Sequence, residues 1–413
     1  MEQTKKRSYF SYFKKGLTIR NYWMYTCFAI FIIVGIILSS LNVPKSSTYQ
    51  LFEQIGYTII AVISLSLVVG FLGELSLGHA GFMSIGAFTG MFFQQVVLNS
   101  LASKDGFPAV IALFISMIVG GTIAAIFGFI IALPALRLKG DYLAIVTLAF
   151  GEIVKIVFQN IDIQSITNSK GSPVWSTTGV IHDFRFNSHW LYIIIFAVAL
   201  LFVVMIRNLL KSPHGRNIMA IRDNEIAARA MGVNVTFYKI LVFVFSAFIA
   251  GVAGVLFGAS QSTIAASKFD YNYSINNILV IVVLGGMGNL EGSVIAALVV
   301  AILNNRLQTV LTGDLASLKN IIYALILVLV VIYNNAPFTK TFREKYNFRV
   351  LWNFIKKKIS KPKDPTDPEK DKDDPSYSAD WSKIPTKIPM DAIMTTDVIP
   401  EPEKDETPME EEK

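Results

Sequence analysis

The sequence predicts an all-α polytopic membrane protein, and three features support this fold class: composition, clustering of apolar residues and placement of basic residues. Of 413 residues, 53% are hydrophobic and 16% are charged, whereas a soluble domain has about 25% charged residues. The mean hydropathy is +0.51. The apolar residues form nearly charge-free blocks, each long enough with its flanks to provide the roughly 20 residues that a membrane-spanning helix requires. The blocks lie at 30–41, 57–72, 110–136, 190–206, 240–258 and 321–333.

About ten transmembrane helices, some of them interrupted by glycine, account for these blocks and for the weaker segments between them. The predicted spans are 22–41, 55–73, 77–98, 108–133, 141–159, 190–206, 240–260, 275–290, 292–311 and 318–335. Lys and Arg cluster before the first span, after the fourth, after the sixth and after the last. Basic loops stay on the cytoplasmic side, and an even number of spans separates each pair of clusters. Both termini are therefore predicted to be cytoplasmic, and the loop at 160–189 external.

Composition divides the chain into four regions. A basic cytoplasmic N-terminus at 1–21 precedes a membrane domain at 22–335, which contains a polar cytoplasmic segment at about 207–239. The basic juxtamembrane segment at 336–360 mixes aromatic and basic residues, which predicts either a helix on the anionic inner leaflet or an ordinary stop-transfer flank. Membrane lipid is thus an expected partner. The acidic tail at 361–413 holds nine of the 15 prolines, a composition that predicts disorder.

Several function classes conflict with the sequence. Residues 1–360 carry 29 Lys and Arg against 14 Asp and Glu, but this excess lies in membrane-flanking loops, which argues against nucleic-acid binding. The single cysteine is Cys27, and the four histidines lack metal-ligand spacing. We therefore expect no metal site, no cofactor and no catalytic residue, which argues against a membrane enzyme. The chain also lacks the G-x-x-x-x-G-K-[ST] phosphate loop, so it does not bind ATP by that route.

The first of three unusual segments, 70–87, combines glycines with polar residues inside an apolar region. Glycine permits close helix packing and also helix unwinding. Ionisable groups are costly in lipid, so they should face the bundle interior or a water-filled cavity. A glycine-interrupted helix with such groups indicates a transport path; the alternative is a tight crossing with a structural contact between Glu74 and His79. The path residues would be Glu74, Ser76 and His79, and the helix-breaking glycines Gly70, Gly73, Gly78 and Gly81.

The second segment, 136–153, predicts a helix that starts at Gly140 and Asp141, with Asp141 as its N-cap. Glu152 and Lys155 are three residues apart on this helix and can form an ion pair. Glu152 either lines the transport path or belongs to a structural pair, and the sequence favours neither.

The third segment, 215–234, predicts a short amphipathic cytoplasmic helix between two spans. Asp223 or Asn224 would cap it, its alanines favour it, and Gly232 would end it. A rigid helix of this kind suits docking to a soluble partner, whereas the simpler interpretation is a solvated loop helix. The residues that would take part in docking are Arg222, Asp223, Glu225, Ala228, Arg229 and Gly232.

At these segments the sequence resembles the high-affinity branched-chain amino-acid ABC permeases of the LivM type. The resemblance rests on Ser-Leu-Gly-His-Ala at 76–80, Leu-Arg-Leu-Lys-Gly-Asp-Tyr-Leu-Ala-Ile-Val-Thr-Leu at 136–148, and Ala-Ile-Arg-Asp with Glu-Ile-Ala-Ala within 220–228. A fourth motif is Gly285-Gly286-Met-Gly288, whose glycines are further candidate helix breaks. The resemblance covers roughly 55–335. Glu74 departs from the family pattern, which usually has Gln at this position.

The resemblance implies the permease fold of the sugar and branched-chain amino-acid group of ABC importers, in a bacterial cell membrane. It implies that 215–234 contains the coupling helix that the ATPase grips. The implied partners are two ABC ATPase subunits, a second LivH-like permease subunit and an extracytoplasmic substrate-binding protein.

Two alternatives to a branched-chain amino-acid importer remain open at this stage. A permease of the same group could carry nucleosides, sugars or other small polar solutes. An ion-coupled secondary transporter could use Glu74 and Glu152 as proton carriers.

Overall fold

The computed structural model describes residues 47–96, 107–135, 140–161, 175–176, 180–181, 190–261 and 263–310, with residues 33, 324, 325 and 328 in isolation. The predicted spans at 22–41 and 318–335 lie almost entirely outside the described residues. The N-terminus at 1–21, the juxtamembrane segment at 336–360 and the tail at 361–413 lie wholly outside them. What was expected of these segments stays a prediction.

Helices make up nearly all of the described chain. They are α1 Ser47–Leu65, α2 His79–Val96, α3 Phe107–Ala135, α4 Asp141–Asn160, α5 Trp190–Lys211, α6 Pro213–Asp223, α7 Glu225–Ala230, α8 Val235–Ser260, α9 Tyr271–Ser274, α10 Val280–Gly285 and α11 Leu290–Val310. Two π-helical segments extend this set: Ser66–Leu72 continues α1, and Ile275–Leu279 joins α9 to α10. A 3₁₀ turn spans Ala266–Lys268.

The all-α prediction did not include a small antiparallel sheet of three two-residue strands. Strands β1 (Trp175–Ser176) and β2 (Val180–Ile181) come from the predicted external loop. Strand β3 (Ile264–Ala265) follows α8 and pairs with β2, in the order β1-β2-β3. The sheet joins that loop to the residues that follow α8.

Six helices in the described part of the chain are long and apolar enough to cross a membrane: Tyr49–Leu72, Pro108–Pro134, Tyr142–Asn160, Leu191–Lys211, Val235–Ser260 and Leu290–Leu307. The helix that replaces the predicted span 275–290 runs only over Tyr271–Gly285. Its length is about 22 Å, short of the roughly 30 Å hydrocarbon core. The protein is a multi-pass membrane protein, while the total of ten spans and their orientation stay predictions.

Helix α1 and its π-helical continuation lie at the centre of the bundle. The apolar window of this helix is entirely buried, as expected for a helix that is hydrophobic on all sides. It contacts α5, α8 and α11. The helix begins at Ser47, eight residues before the predicted span, because its polar first turns are buried against protein: Tyr49 and Glu53 are both buried.

Helices α3 and α4 expose apolar faces, as lipid-facing helices do. Ile118 and Ile130 of α3 and Ile145 and Ile153 of α4 are more than half exposed. In water such a surface would promote association, whereas lipid tails accept it.

Helices α2, α3 and α8 cross at glycines that bring their backbones into direct contact. A methyl group on Gly86 of α2 would overlap the Gly251 carbonyl oxygen of α8, and one on Gly254 would overlap the Met83 carbonyl oxygen. A methyl group on Gly120 of α3 would lie 2.8 Å from the Gly86 carbonyl oxygen. Small residues permit this approach in membranes, where helices associate mainly by close packing.

Candidate functional site

A non-helical segment, Gly73–Gly78, separates the π-helical end of α1 from the start of α2. Gly73 has φ +83°, and its N–H donates to the Val68 carbonyl at 3.0 Å, which ends the π-helical segment. A hydrogen bond joins the Ser64 hydroxyl to Nε2 of His79, the first residue of α2. Since Ser64 precedes the end of the π-helical segment by eight residues, Gly73–Gly78 runs back alongside that helix for about 12 Å. Non-helical backbone at membrane depth is tolerated where it is buried in protein or lines a cavity.

Small polar side chains bind the segment Gly73–Gly78, which we call the returning segment, and the part of α1 beside it. The Leu77 N–H donates to the Thr147 hydroxyl of α4 at 3.0 Å, and the Ser246 hydroxyl of α8 donates to the Ser64 carbonyl at 2.7 Å. Nδ1 of His79 and the Ser76 hydroxyl are buried without a hydrogen-bond partner among the described residues. Buried polar groups are usually satisfied, so these two atoms are candidate binding groups for a polar solute or water.

The predicted cytoplasmic helix is a pair of helices, α6 and α7, joined at Asn224. The Asn224 side chain accepts from the N–H groups of Ile226 and Ala227, both at 3.0 Å, and so caps α7. Of the two predicted caps, Asn224 is confirmed, whereas Asp223 is the last residue of α6. Gly232, at φ +82°, ends α7 as predicted.

The end of α7 satisfies two carbonyl groups at once. The N–H of Gly232 donates to the Arg229 carbonyl at 3.0 Å, and that of Val233 to the Ala228 carbonyl at 3.1 Å. This pattern of hydrogen bonds, with a left-handed glycine after the cap residue, fixes the direction in which the chain leaves a helix. Helix α7 is therefore defined at both ends.

Arg222, in the last turn of α6, contacts two glycine-containing regions: the π-helical end of α1 and the break between α10 and α11. Its Nη1 donates to the Gly70 carbonyl in the π-helical segment at 2.7 Å. A methyl group on Gly70 would lie 2.7 Å from the backbone nitrogen of Gly288, and one on Gly288 would lie 2.6 Å from Nη1 of Arg222. Gly286 and Gly288 have φ +89° and +84° and separate α10 from α11. The guanidinium thus lies where the two broken helices touch.

Lys239, in the second turn of α8, connects the returning segment to α7. Its Nζ donates to Oε1 of Glu74 at 2.5 Å and to Oε2 of Glu225 at 3.1 Å. Glu225 also accepts from Arg229 at 2.9 Å. The side chain of Lys239 is 6% exposed and that of Glu74 15% exposed, so the pair is largely removed from water. We call Arg222, Glu225, Lys239 and Glu74 the junction cluster.

Glu152 lies in a different arrangement on α4. It forms an ion pair with Lys155 on the same helix, as its spacing predicted. Its Oε1 also accepts from the Tyr271 N–H, at the start of α9, at 2.8 Å. Glycine Gly140 occupies the N-cap of α4, and Asp141, predicted as the cap, is the first helical residue.

Comparison with known sequences assigns the chain to a family. Residues 47–331, more than half of the chain, match the family described as branched-chain amino acid transport system / permease component. The chain belongs to this family. It is 35% identical over 269 residues to the high-affinity branched-chain amino acid transport system permease protein LivM of Salmonella typhimurium, and 34% identical over 271 residues to LivM of Escherichia coli K12.

The alignment with each of these LivM permeases covers 59% of this chain and 60% of the relative. A more distant relative is the ribose import permease protein RbsC of Escherichia coli K12. It is 25% identical over 316 residues, which cover 74% of this chain and 92% of the relative. No solved structure matches the chain. The predicted family and the predicted permease fold class are therefore confirmed.

The glycines of this permease-family chain that were predicted to break helices divide into two groups. Gly73, Gly286 and Gly288 have positive φ and lie at breaks, and Gly70 lies in the π-helical segment. Gly78, the last residue of the non-helical segment, and Gly285, the last residue of α10, border breaks and also permit close approach, whereas Gly81 permits close approach only. Gly81 is inside α2, where a methyl group would lie 2.9 Å from Gly151 of α4. A methyl group on Gly78 would overlap the Thr147 carbonyl oxygen.

The structure brings most of the predicted polar site residues together, although not by the contact that was considered. Glu74 bonds Lys239 and His79 bonds Ser64, rather than one another. Of the predicted docking residues, Arg222, Glu225 and Arg229 belong to or contact the junction cluster, and Ala228 is the buried residue of α7. Glu152 lies apart, in its own pair with Lys155.

Two charged residues of structural importance were not predicted as site residues. Lys239 was used only to predict which segments are cytoplasmic, although a lysine next to an apolar block also indicates a candidate site residue. Glu53 is 1% exposed in α1, and was missed because the predicted span began after it, at 55.

Proposed function

We propose that this chain is the membrane-spanning permease subunit of an ATP-binding cassette importer in a bacterial cell membrane. The solute is a branched-chain amino acid or a related one, moved by alternating access. The family match and the two LivM relatives support the substrate class. The chain is a transport subunit, and ATP hydrolysis takes place on separate partner subunits.

The partners of this permease are two ABC ATPase subunits, a second LivH-like permease subunit and an extracytoplasmic substrate-binding protein. The surface of α7 suits a cleft on an ATPase. Ile226 and Met231 are 80% and 84% exposed, and polar Asn224, Glu225 and Arg229 border the first of them. Apolar anchors within a polar rim are typical of protein interfaces.

The junction cluster is the observation that carries the proposal. Arg222 and Glu225 lie on the helices expected to dock to an ATPase. Arg222 donates to the Gly70 carbonyl. Glu225 is linked to Glu74 through Lys239, which donates to both carboxylates. Movement of α6 and α7 on closure of the nucleotide sites would displace the π-helical segment and the returning segment together. The transport path itself would run past the buried Ser76 hydroxyl and Nδ1 of His79, which have no hydrogen-bond partner among the described residues. Glu74 would lie at its inner end.

Glu152 is also proposed to lie beside the path, since it caps the short helix that begins at Tyr271. That helix ends at Gly285, just before the break at Gly286 and Gly288. Glu152 would hold the outer end of this helix. Arg222 contacts the break that follows its inner end.

Sugar transport is the second candidate, because the RbsC alignment covers 92% of that permease. An ion-coupled secondary transporter is less well supported, since both candidate carriers, Glu74 and Glu152, form ion pairs with lysines. Substrate competition distinguishes the first two, and a requirement for ATP excludes the third.

The test is uptake of radiolabelled leucine into liposomes that contain the complex and its binding protein. We expect uptake that requires internal ATP, that unlabelled isoleucine or valine suppresses and that ribose does not. Suppression by ribose alone would replace the amino-acid assignment with sugar import, and uptake driven by a proton gradient without ATP would reject the importer.

Arg222→Gln then tests the junction cluster within the same assay. The variant should assemble but lose most ATP-dependent uptake, because Gln cannot reach the Gly70 carbonyl with a charged donor. Arg306→Gln, at an exposed position of α11, is the matched control. Full uptake by Arg222→Gln would remove this contact from the coupling route.

A further inference from the structure

We propose that a groove between α3, α5 and α8 binds one anionic phospholipid, with an acyl chain in the groove and the phosphate at Lys211 and Arg216. The groove has a volume of about 790 Å³. Apolar side chains line it throughout, and they include Phe129 of α3, Met205 and Leu209 of α5, and Phe237, Val244 and Phe248 of α8.

The dimensions of the groove fit an acyl chain. Its lining on α8 extends over twelve residues, from Phe237 to Phe248, which is about 16 Å along the helix axis. One leaflet contributes about half of the roughly 30 Å hydrocarbon core. The groove starts in the first turn of α8, so it covers the depth of a single leaflet, on the side where α6 and α7 lie. A concave channel of this length holds one chain more closely than a flat helix face does.

Hydrogen bonds attach α6 to the end of this groove. The Tyr238 hydroxyl accepts from Nδ2 of Asn217 at 2.8 Å and lies 3.2 Å from Nδ1 of His214. The ring of Tyr238 packs edge-on against Phe237, with centroids 5.4 Å apart. These contacts hold the first turns of α6 next to the groove lining of α8. Arg216 lies on the same turn of α6 as these two residues.

The charge at this end matches a phosphate group. Lys211 is exposed and follows the groove residue Leu209 by two positions on α5, and Arg216 is exposed on α6. From 190 to 222 the sequence has no Asp or Glu. Neither Lys211 nor Arg216 forms an ion pair among the described residues, in contrast to Arg207, which pairs with Glu291. Cations at a membrane surface attract anionic headgroups with about 1 kcal/mol each.

The test uses the full chain extracted in mild detergent, stripped of lipid and supplied with phosphatidylglycerol or phosphatidylcholine of identical acyl chains. Bound lipid per chain is counted by native mass spectrometry. We expect one phosphatidylglycerol retained, at least fivefold in excess of phosphatidylcholine. The Lys211→Gln/Arg216→Gln double variant should lose this preference, while Lys268→Gln, an exposed lysine after β3, should keep it.

Filling the groove tests the position of the acyl chain. Val244→Trp and Met205→Trp enter the groove from opposite walls and should each lower retention of both lipids at least fivefold. Ile145→Trp, on the exposed face of α4, should not. Unchanged retention in both groove variants, or an unchanged preference in the double variant, overturns the proposal. So does the release of a bound membrane protein by the groove variants without any change in lipid, which would make the groove a subunit interface.

Discussion

Glu74 and Glu152 are both carboxylates in apolar surroundings, and both form ion pairs with lysine, yet their partners lie in different places. Lys155 is three residues from Glu152 on the same helix, so that pair moves as one element. Lys239 is 165 residues from Glu74 and also bonds Glu225, so it joins three separate segments. The difference is that Lys239 links three segments through its own side chain, whereas Lys155 stays on the helix of its partner, and Glu152 reaches another element only through the Tyr271 N–H.

The largest expected effect separates the two lysines. Lys239→Met leaves Glu74 and Glu225 without their shared cation, and removal of one partner of a buried pair costs about 3 kcal/mol or more. We expect a clear fall in thermal stability of the purified complex, together with loss of uptake. Lys155→Met, the matched change on α4, should cost no more than about 1 kcal/mol, because that pair is more exposed and local.

The double variant Lys239→Met/Glu74→Gln guards against a trivial loss of folding. It removes both charges of the buried pair and should recover part of the stability without recovering uptake. Equal stability losses for Lys239→Met and Lys155→Met would contradict the distinction between the two pairs.

Gly232→Val tests α7 separately from the ion pairs, because it disturbs the end of this helix and leaves every ion pair chemically intact. A β-branched residue at φ +82° costs about 2 kcal/mol of local strain. No atom lies within 4 Å of an added Cβ, so the strain is conformational and not steric. ATPase stimulation by loaded binding protein should fall severalfold. Gly232→Asn, which tolerates this backbone region, should retain most stimulation, and equal activity of the two variants would argue against a coupling role for this helix end.

Glu74→Gln should have an intermediate effect. The amide keeps a hydrogen bond to Lys239 but removes the charge, for a loss of about 1 kcal/mol. Lys239 keeps Glu225 as its counterion, so the complex should assemble. We expect leucine uptake to change by a few-fold, measured against Glu225→Gln, which removes the other carboxylate. Unchanged uptake in both variants would show that Lys239 acts only through packing.

The smallest effect is expected for Glu152→Gln. The amide oxygen can still accept from the Tyr271 N–H, and loss of the pair with Lys155 should cost less than about 1 kcal/mol. Thermal stability should change little. If Glu152→Gln abolishes uptake at full stability, the charge of Glu152 acts in transport itself, and Glu152 does more than hold the start of the helix at Tyr271.

Helix boundaries were predicted well from the sequence where residues at the ends of the helix itself determine them. The capping of α7 by Asn224 and its termination at Gly232 follow from local chemistry, as does the pairing of Glu152 with Lys155. The same reasoning placed the start of α1 too late, because the polar residues of its first turns are buried by other helices rather than by lipid. Hydropathy alone cannot distinguish these surroundings.

The long-range contacts of the junction cluster, Arg222 to Gly70 and Lys239 to Glu74, could not be predicted, since they join residues 152 and 165 positions apart. Arg222 and Gly70 were both identified, but nothing in their local sequence indicates that one donates to the other. The π-helical segment before Gly73 also leaves no local signature, because its residues, Ser66–Leu72, suit an α-helix equally well.

The glycine contacts among α2, α3 and α8 have a mechanical consequence. Where the main chains of helices already touch, at Gly86, Gly251 and Gly254, neither sliding nor compression is available to them. These three helices should therefore stay fixed relative to one another, while α1, α5 and the short helix at 271–285 move against them. Spin-label distances between α2 and α8 should stay constant through the nucleotide cycle, while those from α8 to α5 change.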